Sequence, residues 1–123
     1  MTDRAGARDW VERYKKAWLS NSPADIADLF TEEAVYRPTP TSRGWSGHDE
    51  IIQGWLLHAN DPGTWQFEYD VLAVDGDLAV IRGVTVYDPP HGTYDNIWLV
   101  RLAPDGRARE YTEFWIERPK PKE

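Results

Sequence analysis

Between Tyr94 and Trp115 the chain reads YDNIWLVRLAPDGRAREYTEFW, two alternating stretches on either side of Pro-Asp-Gly. Pro104 presets φ at the first turn position, Asp105 suits the second, and Gly106 supplies the positive φ that a three-residue hairpin loop with a bulge requires. A β-hairpin is predicted here. Its strands carry Tyr94, Trp98, Tyr111, Phe114 and Trp115, too much aromatic surface for an exposed ribbon, so other elements must cover it. Glu113 sits among those rings. Whether its carboxylate enters a pocket or a solvated face decides what chemistry the chain can do.

The covering elements lie upstream. From about Asp3 to Ser20, Trp10, Val11, Tyr14, Ala17 and Trp18 recur at helical spacing, opposite Glu12, Arg13, Lys15 and Lys16. Ser22 reads as an N-cap with Pro23 at the first helical position, which predicts a short second helix to about Phe30. A brief strand, Ala34 to Arg37, ends at Pro38, and PTPTSRGWSG follows as a loop long enough to wall a mouth. His48 to Asn60 is a third amphipathic helix with Ile51, Ile52, Trp55, Leu56 and Ala59 as its stripe. From Trp65 the period drops to 2, Asp75-Gly76 signals a tight hairpin, and Asp77 to Tyr87 is apolar on nearly both faces, as in a central strand. Three N-terminal helices before a meander of long strands give an α+β fold with helices on the concave face of a curved sheet.

At 123 residues this is one domain, 1–118, with a tail, 119–123, expected to be disordered. A net charge of −7 speaks against a nucleic-acid partner, which needs clustered Lys and Arg. No apolar run reaches membrane-spanning length, and a cytoplasmic protein without membrane association is expected. No cysteine, HxH or HExxH spacing, P-loop or GxGxxG is present, so neither a metal nor a cofactor is expected. Seven tryptophans suit either an aromatic small-molecule pocket or a Trp-rich core.

The segments ERYKKAWLSNSPADIADLF, AVYRP, SGHDEIIQGW and NIWLVRLAPDGRAREYTEFW together resemble the nuclear transport factor 2-like superfamily, in its SnoaL-like branch of polyketide cyclases and ketosteroid isomerases. That resemblance implies a cone-shaped, mixed or antiparallel sheet around a deep pocket, frequently in a homodimer built through the outer sheet face. It matches Tyr14 to the tyrosine with which the isomerases stabilise an enolate oxygen. The isomerases' aspartate base, however, falls where this chain has Arg37 and Pro38, and their second oxyanion donor falls at or beside Trp98. The same match points Tyr111, Glu113 and Trp115 into the pocket, and Arg82, Val84 and Val86 with them, so that Arg82 would tune Glu113. Simple alternation from an Ala103–Arg107 pair would instead set Trp98 opposite Thr112 and turn Glu113 away; a β-bulge in either strand restores the inward arrangement.

Glu113, Tyr14 and Arg82 are thus the candidate catalytic residues. Trp18, Tyr36, Trp55, Asn96, Trp98, Tyr111 and Trp115 are candidate contacts for an apolar small molecule. Three readings stay open: cofactor-independent acid–base catalysis (isomerase, cyclase or hydratase-like) on an apolar carbonyl compound, non-catalytic binding, or a dimerisation module with a vestigial pocket.

Overall fold

The computed structural model describes residues 2–119, so all of the expected tail except Pro119 lies outside the described residues. Helix α1 (Arg4–Ser20) starts at Asp3, whose carboxylate accepts from the Gly6 N–H at 2.7 Å, and ends on Asn21 in the left-handed conformation (φ 51°). It buries Ala7, Trp10, Val11, Tyr14 and Ala17, the face its spacing predicts. Helix α2 (Pro23–Asp28) is capped by Ser22 and stops before Phe30, which instead opens strand β1 (Phe30–Arg37). Within the expected loop, Trp45–Ser46 form a two-residue strand β2, and helix α3 (Gly47–Leu57) ends short of Asn60 on His58 as C-cap. Four long strands complete the chain: β3 (Trp65–Asp75), β4 (Leu78–Tyr87), β5 (Thr93–Leu102) and β6 (Ala108–Glu117).

The strands form one six-stranded, curved, open sheet in the order β2-β1-β6-β5-β4-β3. All neighbours are antiparallel except β1 and β6, which run parallel. The β3–β4 turn is Gly76-Asp77, one residue later than Asp75-Gly76, because the positive φ of Gly76 (62°) falls at the first central position. The β5–β6 loop is Pro104–Gly106: Gly106 has φ 87°, and Ala103 donates to the Arg107 carbonyl at 2.7 Å.

Trp10 is the centre of the core. It is 1% exposed, lies edge-on to Trp98 (6.4 Å) and tilted on Tyr111 (5.9 Å), and its indole N–H donates to the Leu29 carbonyl at 3.0 Å. Helix α1 is thereby fixed across the inner faces of β5 and β6. No described helix is long and apolar enough to cross a membrane.

Candidate functional site

One residue decides which side chains of β6 meet the helices. Leu102 pairs with Ala108 but Arg101 pairs with Glu110, leaving Arg109 unpaired as a bulge. Ala108 faces the core and its N–H donates to the Leu29 carbonyl at 2.8 Å, while Glu110 faces outward to Arg37 at 2.9 Å. Arg109 takes up the odd residue, its guanidinium reaching Asp77. Beyond the bulge Tyr111, Glu113 and Trp115 point inward, opposite Val100, Trp98 and Asn96. Without it, Thr112 and Phe114 would take their places.

Inside the curve of the sheet, between α1 and the end of α3, lies a cavity of about 410 Å³. Tyr14, Tyr36 and Trp98 line its buried part beside the half-buried Glu113; His58, His91 and Trp115 are its exposed rim. Glu113 is its only carboxylate, and no Lys or Arg lines it among the described residues. Glu113 Oε2 accepts from Asn96 Nδ2 at 2.7 Å and Trp98 Nε1 at 3.3 Å, and Oε1 accepts from the Tyr111 hydroxyl at 3.2 Å. Behind Asn96, the buried Thr85 hydroxyl donates to its Oδ1 at 2.8 Å, which holds the amide with its NH₂ toward Glu113. Burial raises the Glu113 carboxyl above the ordinary glutamate value; the hydrogen bonds from Asn96, Trp98 and Tyr111 oppose that rise without cancelling it. A carboxyl balanced in this way can both take and return a proton.

A second polar group stands across the floor. The hydroxyls of Tyr14 and Tyr36 are 2.7 Å apart, and both rings pack on Tyr111, at 5.5 and 4.4 Å. Burial, then the negative charge of neighbours including Glu113, pushes the Tyr14 and Tyr36 hydroxyls up from the ordinary tyrosine value. They remain neutral. One hydroxyl donates to the other, and the second proton is available to an acceptor in the cavity.

Two indoles of the wall have their N–H groups tied within the protein. Trp18 Nε1 donates to Asn60 Oδ1 at 3.0 Å and Trp55 Nε1 to Asn21 Oδ1 at 3.1 Å, while Asn21 Nδ2 ties the Asn60 carbonyl at 3.0 Å. The C-cap of α1 is thus clasped to the segment after α3, and two ring planes are fixed. Trp45 stacks on Tyr36 at 4.9 Å; this approach is possible because Gly54 of α3 has no Cβ, which would lie 2.4 Å from the indole.

Of the candidate residues, Tyr14, Trp18, Tyr36, Trp55, Asn96, Trp98, Glu113 and Trp115 line this cavity. Tyr111 stands behind it, 0% exposed, packed on Tyr14, Tyr36 and Trp98 and hydrogen-bonded to Glu113. Arg82 is the correction. It lies exposed on the outer face, opposite Asp70 and Ile97, and Val84 and Val86 share that face. The inward set of β4 is Ala79, Ile81, Gly83, Thr85 and Tyr87, so no guanidinium tunes Glu113. Several lining residues were not foreseen: Trp45, Thr85, Asn60, Tyr87 and His91. His58 lines the rim parallel to Trp45 at 6.2 Å. His48, at the start of α3, is hydrogen-bonded to the Phe30 carbonyl at 2.8 Å. Among the described residues no group of three or more His, Asp or Glu side chains is placed to hold a metal ion.

Three helices on a curved six-stranded sheet define an α+β fold of the cystatin-like class. The sequence model of the SnoaL-like domain matches residues 11–111, and the chain belongs to that family. Solved structures share the fold. A ketosteroid isomerase-like protein from Erwinia carotovora atroseptica is 18% identical, with 94% of this chain and 97% of that one covered at a TM-score of 0.67. The epoxide hydrolase/cyclase-like enzyme SalBIII, with a role in pyran ring formation in the polyether salinomycin, is 16% identical over 94% of both chains, at a TM-score of 0.71. An NTF2-like protein of unknown function from Mesorhizobium loti is 24% identical over 94% of this chain and 96% of that one, at 0.67. No curated protein matches the chain significantly.

Proposed function

We propose that the cavity binds a small, largely apolar carbonyl compound and that Glu113 moves a proton on it, without a cofactor, as an isomerase, cyclase or hydratase would. The observation that carries this reading is the position of Glu113: the sole carboxylate among the described residues of a ring-walled cavity, raised by burial and held by Asn96, Trp98 and Tyr111. Tyr14 and Tyr36 supply the hydrogen bond to a carbonyl oxygen as it gains negative charge, the part an oxyanion donor plays. The direct test is α-hydrogen exchange of small enolisable ketones such as 2-tetralone in D₂O, followed by NMR. Exchange faster than in buffer, and slower by about 100-fold in Glu113→Gln, is expected. Exchange equal in the two proteins would remove Glu113 from the role.

One observation favours a second reading, binding without turnover. Pro38 lines the cavity where the isomerase pattern places its base, and Arg37 beside it is paired with Glu110. Under this reading a bound ketone is recovered unchanged and unexchanged.

The outer sheet face supports a homodimer. Cross-strand neighbours place Ile97 beside Phe114 and Asp95 beside Ile116, and Phe114 and Ile116 are 39% and 72% exposed. Sedimentation should give a dimer that Ile116→Asp dissociates; a wild-type monomer at micromolar concentration contradicts it.

A further inference from the structure

Among the described residues the cavity is lined by one carboxyl and by no Lys or Arg. The guanidinium that would stand beside Glu113 is on the other face of the sheet, and the lining includes no other Lys or Arg among the described residues. The chain as a whole carries a net charge of −7. The walls add to this sign. Ring faces are the negative side of an aromatic quadrupole, and three of the five lining indoles have their N–H groups spent inside the protein: Trp18 on Asn60, Trp55 on Asn21, Trp98 on Glu113 itself. Tyr14, Tyr36 and Tyr87 add further rings. At the rim stand His58 and His91, the other titratable side chains besides the tyrosines.

A carboxylate inside a box of ring faces is the chemistry that recognises an organic cation, since a protonated or quaternary nitrogen is attracted both by the faces and by the charge. We propose that the natural ligand carries a positively charged nitrogen, a protonated amine on an apolar skeleton, and that the ligand itself supplies the counter-charge that the protein withholds from Glu113. This rests on the cavity reading above and narrows it: the carboxylate is held ionised, and so able to accept a proton, when a cationic ligand is in place. Carboxylic acids and phosphate esters of similar size are repelled by the same field. The preference is a device of specificity, because a neutral ketone of the same shape gains nothing from the charge of the carboxylate.

The test compares three probes of one skeleton by titration calorimetry at pH 7.5: 2-(1-naphthyl)ethylamine, 2-(1-naphthyl)ethanol and 1-naphthylacetate. The amine should bind about tenfold tighter than the alcohol and the carboxylate weakest of all. In Glu113→Gln, its fold checked by circular dichroism, the amine should fall to the affinity of the alcohol. An alcohol that binds as tightly as the amine, or a preference that survives in Glu113→Gln, overturns the proposal while leaving the cavity reading intact. If none of the three binds, it is the cavity reading that fails, and this inference with it. The wild-type ranking is decisive even where the variant does not fold.

Discussion

Along the inward face of β6 the protein changes character within a few residues. Ala108 and Tyr111 are 0% exposed, sealed under Trp10 and α1, whereas Trp115 at the other end is 49% exposed on the cavity rim. Glu113 lies between them. The closed end is built as a core should be, with rings interlocked and every polar atom of Trp10 and Tyr111 satisfied. The open end uses the same residue types with space left between them. Function in this fold is therefore a matter of where the helical cover stops, and the carboxyl at that boundary is dry enough to be perturbed and open enough to be reached.

Deleting Thr112, beyond the bulge, should break the contrast altogether. Taking out Arg109 itself would join Ala108 to Glu110 and keep Tyr111 and Glu113 inward, whereas losing Thr112 turns Glu113 outward and drives Phe114 under the helices in its place. Loss of at least about 4 kcal/mol, or no folded protein, is expected by urea denaturation. A stable deletion variant would show that the register is not what sets the site.

The closed and open ends should also differ as packing. Trp10→Ala is expected to cost about 3–5 kcal/mol, through lost burial and the cavity left behind. Trp115→Ala should cost under about 1 kcal/mol, since half of its surface is already in water. Comparable costs at the two positions would erase the distinction.

Thr85→Val is a smaller perturbation, expected to destabilise by about 1–2 kcal/mol because the Asn96 carbonyl oxygen loses its buried donor. It should also raise the Glu113 carboxyl further, as the amide is freed to turn; Thr85→Ser should restore both. A Val variant that changes stability alone would make Thr85 merely structural.

The smallest effect is a pH trend. Because folding raises the Glu113 pKa, its ionised form opposes folding, so its stabilising contribution is fully present below the unfolded value and lost as pH rises through the folded one. Glu113→Gln should therefore gain on the wild type as pH rises across that window. The lowered carboxyls of Asp77, Asp95 and Asp105, paired with arginines, pull the other way in both proteins and drop out of the difference.

The hairpin was legible because Pro104-Asp105-Gly106 leaves the backbone little choice, and the helices because their apolar stripes are strict. Arg109 was not: an unpaired residue needs no special side chain, and its presence follows from pairing with both β5 and the distant β1. Arg82 was misplaced for a related reason. AVIRGVTVY is apolar on both faces, so alternation carries no signal there, and only the pairing of Ile81 with Trp98 orients the strand. Trp45 lay hidden in a Pro/Gly-rich loop, its strand just two residues long. A trace existed in Gly54, a glycine inside a helix that asks for a close neighbour. Thr85 and Asn96 could be placed together by neither spacing nor motif, since their hydrogen bond is a product of cross-strand register.

The most direct measurement is a ¹³C NMR titration of the Glu113 side-chain carboxyl, assigned by comparison with Glu113→Gln. The account predicts a midpoint above the ordinary glutamate value of about 4.3, falling when an amine occupies the cavity. A midpoint at or below that value in the empty protein would mean that water, not indole and phenol, surrounds the group on which the proposed chemistry depends.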